Sequence, residues 1–202
     1  MFSLVEDGSI TKYYSGNRGI TIGDNQYPKA IFTLWTKDER EAVGIYEVVW
    51  DNSKKKDEAW YINTNVSYAF AGGKVTASYG DATAKAHADT SFTAQDESNG
   101  LGTEGEVKVE GLKTKKIRNI KIQAAGILAE TDWYIVRKAD ADTAIPSAIT
   151  NHRAAVRTKC AQMETAITNA SNTAAIETLY TYTKQEDGSV TRPLGNLPTL
   201  EV

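Results

Sequence analysis

Cysteine occurs once, histidine twice and proline four times in 202 residues. A single thiol, Cys160, forms no intramolecular disulfide and supplies no cysteine-based zinc site. His87 and His152 are too few for a histidine metal centre or a proton relay. Long apolar runs are also missing. No stretch approaches the roughly 18 consecutive apolar residues that a spanning helix needs, so no membrane partner is expected. The opening residues MFSLVEDGSI hold no positive region followed by an apolar run, and no secretory signal is expected. Excess charge of one sign is lacking too. The formal net charge is -3, and neither half carries the basic footprint that phosphate backbones require, so no nucleic-acid partner is expected. What remains is the balance of a globular α+β chain, with 41% hydrophobic and 24% charged residues.

The chain divides by pattern. Residues 1–80 read as a small, mostly antiparallel β domain with one short helix. Ser9 to Tyr14 is a strand entered by a turn at Glu6-Asp7-Gly8-Ser9, and Ile20 to Ile22 is a second short run. Lys29 to Trp35, apolar-rich and placed after Pro28, predicts a strand. Thr36-Lys37-Asp38-Glu39 has the spacing of a capping box, and Gly44 is a natural stop, so a short helix runs to about Val43. Ile45 to Asp51 is a strand, Lys54 to Glu58 a solvated charged hairpin loop, and Ala59 to Phe70 another alternating segment. Gly72-Gly73 then turns the chain into Lys74 to Tyr79. Aromatic residues are dense here. They read as sheet core and cross-strand pairs in preference to a sugar or base platform.

Residues 81–111 are rich in small and acidic side chains, which predicts a flexible or extended connector with one strand at Glu106 to Val109. Residues 112–180 switch to a helical period. Ile117, Ile120, Ala124, Ile127 and Leu128 form one stripe; Ile149, Val156, Cys160, Met163 and Ile167 form another, narrow enough for a helical hairpin. The second helix is expected to begin at Pro146, a favourable first helical residue. Lys113, Lys115, Lys116, Arg118 and Lys121 lie off the first stripe and read as solvated. Cys160 reads as a small core residue. Asn172 to Tyr180 is a last short helix. Residues 181–202 read as a hairpin turning at Asp187-Gly188 followed by an extended tail. The peptide Glu186 to Arg192 echoes Glu6 to Lys12, a repeated hairpin turn.

A catalytic constellation is not apparent. His152 and Cys160 are eight residues apart on one helix, about 12 Å of rise, too far for a hydrogen bond. There is no glycine-rich phosphate loop. Asp132, Asp140 and Asp142 lack the calcium-loop pattern. The chain is therefore read as a non-enzyme with no cofactor and no metal.

The segment Leu112 to Ile167 carries Thr131-Asp132-Trp133, Arg137 four residues after the tryptophan, Ile145-Pro146, and then Arg153 and Arg157 on one helix. This pattern resembles the C-terminal helical module of virion and tail-fibre-associated proteins of tailed bacteriophages. Residues 27–49 resemble the small N-terminal domain that accompanies it. The resemblance implies a structural component of the virion, in the tail or baseplate region and made in the host cytoplasm. Its expected partners are other tail or virion proteins and further copies of itself in a ring or trimer. A tail-fibre assembly chaperone and a carbohydrate-binding module are the alternatives. The residues themselves suggest a scaffold. Thr131 or Asp132 can cap a turn, Trp133 falls on the inner face as an anchor, and Arg137 reaches the indole or a carboxylate. Arg153 and Arg157 either pair with Asp132, Asp140 or Asp142 or stand as ordinary surface arginines.

Overall fold

The computed structural model describes residues 1–200; the last two residues of the expected extended tail, Glu201 and Val202, lie outside the described residues. The fold is α+β, with strands first and helices after, and the chain divides after Thr83 into two compact units.

The first unit opens with β1 (Phe2–Glu6), which sequence patterning passed over, and β2 (Ser9–Tyr14). They pair antiparallel through the predicted turn, where Asp7 itself is left-handed at φ 50°. β3 (Ile20–Ile22) and β4 (Asn25–Tyr27) make a small ribbon. Lys29–Phe32 is a single 3-10 turn, which corrects the strand expected there. The Ile31 amide donates to the Pro28 carbonyl, and Ile31 and Phe32 are buried. A short apolar run does not distinguish a strand from a buried turn; here burial of two side chains decided it.

α1 (Lys37–Ala42) follows with the capping box formed: Thr36 Oγ accepts from the Glu39 amide, and the Thr36 amide donates to the Glu39 carboxylate at 2.7 Å. The Thr36 amide foremost, and the Thr36 hydroxyl donating to the same carboxylate at 2.9 Å, hold the Glu39 carboxyl below its usual range. Gly44 ends the helix at φ 78°, where a Cβ would sit 2.7 Å from the Val5 carbonyl oxygen. β5 (Ile45–Asp51) leaves this glycine. β6 (Tyr61–Ile62), β7 (Ser67–Ala71) and β8 (Lys74–Ser78) complete the unit, and β9 (Thr83–Ala84) carries the chain onward. The long segment expected at Ala59 to Phe70 is thus two separate strands.

The main sheet has the order β2-β1-β5-β8-β7. Every pair is antiparallel except β5 with β8, where Val48 to Asp51 run parallel to Val75 to Ser78. The loop at Lys54 to Glu58 therefore does not close a hairpin. It starts a crossover, because a parallel neighbour cannot be reached by a tight turn. The sheet curls until its edges touch: Tyr13 on β2 and Tyr68 on β7 have ring centres 4.7 Å apart. One face gathers Val48, Val75 and Ala77 with Tyr46, Tyr68 and Phe70. The other gathers Leu4, Ile20, Ile31, Phe32 and Ile45.

The second unit begins with the segment read as a connector, and the structure corrects that reading. β10 (Thr90–Ser91) and β11 (Val107–Val109) pair around α2 (Ala94–Ser98), whose own capping box joins Thr93 to Asp96. Lys108 reaches Asp96 at 2.7 Å; this bond foremost, with the Thr93 amide and hydroxyl, pulls the Asp96 carboxyl down to about 2. Small side chains bury little area, but the segment is ordered by hydrogen bonds instead. It also serves the next helix, α3 (Leu112–Ala129). The amides of Leu112 and Lys113 donate to the Ala86 and His87 carbonyls. The Gly111 amide and the Thr114 hydroxyl donate to Asp89 at 2.7 and 2.8 Å, lowering its carboxyl. Three of the amides that an α-helix leaves open at its start, those of Gly111, Leu112 and Lys113, thus find acceptors nearby.

After α3 come α4 (Asp132–Ala141), α5 (Ser147–Asn169) and α6 (Thr173–Tyr180). α3 and α5 lie antiparallel: Lys113 donates to the Thr168 carbonyl, Lys121 pairs with Glu164, and Arg153 donates to the Leu128 carbonyl. Both predicted stripes meet in this seam. Ile120 and Ala124 pack with Val156, Cys160, Met163 and Ile167, and Ile117, Ile127 and Leu128 flank them. Burial pushes the Cys160 thiol up, as fits a core residue. The cations of α3 are not simply solvated; Lys113 and Lys121 hold the contacts just given, and Arg118 pairs with Glu110. Asn172 caps α6 through the Ala175 amide. β12 (Thr183–Lys184) and β13 (Val190–Thr191) form the predicted hairpin. The tail then turns inward, and Leu194 is buried in the helical core.

Candidate functional site

The motif residues converge where α3 ends, α4 begins and α5 passes by. Thr131 is buried, and its hydroxyl donates to the Leu128 carbonyl, so it makes no side-chain cap for α4. That differs from the capping role expected of it. The centre of the arrangement is Arg153. Its side chain is 12% exposed, and one nitrogen, Nη1, lies 2.6 Å from the Leu128 carbonyl, 2.7 Å from the Thr131 hydroxyl and 2.8 Å from the Asp132 carboxylate. A cation placed on a terminal helix carbonyl complements the negative end of α3. The same group binds the first residue of α4. Arg153 therefore ties α5 to the break between the two preceding helices.

Arg157 stands one turn further along α5 on the same side, yet it is exposed and enters no ion pair among the described residues. Of the two arginines, one is a tie and the other a surface residue. Pro146 occupies the position just before α5, and Ser147 is the first helical residue, one later than expected. Its missing N–H is harmless there, and its carbonyl accepts from the Thr150 amide at 3.1 Å.

Trp133 requires a larger correction. It is not an inner-face anchor but 50% exposed. The inward side of α4 is taken by Tyr134 and Arg137, and Trp133 lies about 100° around the helix from Tyr134. Its indole stacks on the Tyr134 ring at 3.9 Å, and the Arg137 guanidinium lies 4.5 Å above the indole and 5.3 Å from the Tyr134 ring. The arginine thus met the indole, one of its two expected partners. Spacing alone placed Trp133 and Arg137 one turn apart but could not set the phase of α4, which Thr131 and Arg153 determine.

The residues that sequence reading missed are the exposed apolar ones. Ile135 and Val136 stand open beside Trp133, and no residue of α4 is buried. The signal was present in Trp133-Tyr134-Ile135-Val136, an apolar run in an otherwise polar helix that matches no one-sided stripe. Asp142 ends α4 in a left-handed conformation and pairs with Lys138. Among the described residues, no group of three or more His, Cys, Asp or Glu side chains is placed to hold a metal, and no helix is long and apolar enough to cross a membrane.

The aromatic sheet offers a second region. Trp50 contacts Tyr79 at 5.1 Å and Tyr68 at 6.5 Å, with interplanar angles of 32° and 66°. The rings tilt into one another and do not form one flat shelf. Trp60, a second tryptophan of this unit, is buried.

Comparison with family models, with curated proteins and with solved structures finds no match for this chain. What the arrangement can do follows from its own chemistry: a helix tied at its first residue by a largely buried arginine side chain leaves Trp133, Ile135 and Val136 exposed to solvent.

Proposed function

We propose that this chain is a structural component of a bacteriophage particle, in the tail or baseplate region, joining neighbouring subunits by protein–protein contacts. The observation that carries the reading is α4, with Trp133, Ile135 and Val136 exposed on a helix that Arg153 pins in place. Exposed aromatic and aliphatic side chains on a fixed element are the material of interface hot spots. The resemblance of residues 112–167 to phage tail-associated modules supports the same assignment. No catalytic group is invoked; the work is contact and positioning.

Mass spectrometry of purified particles tests the proposal. The expected result is a fixed stoichiometry in mature particles, with crosslinks from α4 to a neighbouring subunit. Absence from particles, with fibres still failing to assemble when the chain is deleted, would replace this reading with the assembly chaperone. A carbohydrate-binding role is favoured only by the exposure of Trp50, at the end of the central strand β5, and of Tyr13 on the edge strand β2. Glycan-array binding lost in Trp50→Ala would support it.

A further inference from the structure

The first unit carries a polar groove between β2 and the β3–β4 ribbon. Lys12, Tyr14, Arg18, Thr21, Gln26 and Tyr27 help to line about 570 Å³ there. The charged groups of the lining are of one sign. Lys12 and Arg18 are exposed, no carboxylate lines the groove, and neither cationic side chain enters an ion pair or hydrogen bond among the described residues. Four other cations of this unit are each matched: Lys37 with Glu41, Arg40 with Glu47, Lys54 with Asp81 and Lys55 with Glu58. Local structure places the two unmatched ones. Lys12 and Tyr14, two residues apart on β2, share a face. Arg18 sits on the short loop before β3, and Gly19 brings that loop against β4, since a Cβ there would meet the Tyr27 carbonyl oxygen at 2.8 Å. Thr21 and Gln26 stand opposite one another on the ribbon and add a hydroxyl and a carboxamide. The Tyr14 hydroxyl is buried and finds no hydrogen-bond partner within the chain. A buried hydroxyl in that condition is uncommon and marks a place where a bound group supplies the acceptor. Burial foremost, and the Glu6 charge after it, raise the pKa of this hydroxyl, so it stays a donor at neutral pH. The Glu6 carboxylate itself accepts from the Thr11 hydroxyl at 2.6 Å and does not line the groove.

We propose that this groove binds a phosphate monoester carried on a small hydroxylated molecule, with the phosphate at Lys12 and Arg18 and the hydroxyls at Thr21 and Gln26. Two uncompensated cations match a group that carries a charge of about −1.5 to −2 at neutral pH better than they match a single carboxylate. The planar guanidinium offers paired donors to phosphate oxygens, and the ammonium adds a point charge. A nucleic-acid strand fits less well. It needs a longer track of cations and open rings for its bases, whereas both rings of this lining, Tyr14 and Tyr27, are half-buried beside Phe32 and Trp35. The site belongs to the first unit and is independent of the subunit-joining role proposed for α4, so either can fail without the other.

Titration calorimetry of the full-length protein with glycerol 1-phosphate tests the proposal, with inorganic phosphate, glycerol and a short single-stranded oligonucleotide as further arms. Glycerol 1-phosphate is expected to bind, inorganic phosphate to bind more weakly and glycerol not to bind, and the affinity should fall as salt is added. Lys12→Gln and Arg18→Gln, both at exposed positions, should each weaken binding about tenfold. Lys54→Gln, which removes a cation already paired with Asp81, should leave it unchanged. Circular dichroism checks that each variant remains folded. Absence of binding by either phosphate would overturn the proposal. So would equal losses in all three variants, because attraction to positive charge in general would then account for the binding. Inorganic phosphate binding as tightly as the monoester would remove Thr21 and Gln26 from the site and overturn the assigned ligand, and a preference for the oligonucleotide would hand the groove to nucleic acid instead.

Discussion

In the first unit one curled sheet buries side chains on both of its faces, whereas in the second a single seam between α3 and α5 holds the core. The sheet divides its apolar residues between two small clusters, each closed by turns, ribbons and edge contacts. The helices commit one face each and leave the others to solvent. This leaves the helical unit with surface to spare for contact, and α4 shows it most plainly. The difference also predicts where damage spreads: a defect in the seam is felt along two long helices, and a defect in the sheet at one corner of it.

The contrast is tested most severely at Ile167, which is fully buried in the seam. Ile167→Ala should cost about 2–5 kcal/mol. In urea unfolding, the far-ultraviolet helix signal should move to lower denaturant by more than the near-ultraviolet signal of the aromatic sheet; equal shifts would mean that the two cores unfold as one. Gly44→Ala attacks the other unit. It forces a left-handed alanine whose Cβ meets the Val5 carbonyl, at about 1–3 kcal/mol. The order of the two signals should then reverse.

Arg153→Met keeps an unbranched stem in place of most of the aliphatic part of the side chain and removes the guanidinium. The Leu128 carbonyl and Thr131 hydroxyl lose their donor, at about 1–3 kcal/mol. Hydrogen exchange should quicken at the start of α4 while the centre of the seam stays protected. Arg157→Met should change neither, since that side chain is exposed. The smallest effect is expected from acid. The Asp96 carboxyl is depressed to about 2 from an ordinary 3.8, so its contribution is present above the ordinary value and is lost as the pH falls through about 2. Asp96→Asn should remove that acid dependence between about pH 4 and 2 while leaving the neutral-pH fold intact. Thermal melts across that window measure it.

The legibility of the two units in the sequence differs for the same reason that their cores do. Each helical stripe repeats along one element, and every residue of the second stripe, from Ile149 to Ile167, is buried. The capping box at Thr36 is local and was equally readable. The sheet required partners from afar. Nothing near Ile45 to Asp51 announces that its neighbour is Lys74 to Ser78, or that the pair is parallel. The 3-10 turn at Lys29–Phe32 was hidden inside an apolar run that two structures satisfy. At the candidate site, Asp132 with Arg153 and Trp133 with Arg137 were each one of several pairings that the spacing allowed. The outward turn of Trp133 was not legible, because it depends on a hydroxyl and a carbonyl at the end of the preceding helix.

By itself the sequence determined the α+β character, the two helical stripes, the turn at Asp7-Gly8 and the capped starts of α1 and α6, since each rests on contacts within a few residues or on a period along one element. Tertiary structure alone decided the curl and parallel step of the sheet, the ordering of residues 84–111 against the start of α3, and the exposure of Trp133. Those outcomes rest on hydrogen bonds and packing between segments distant in the chain, whose relative placement no local pattern encodes.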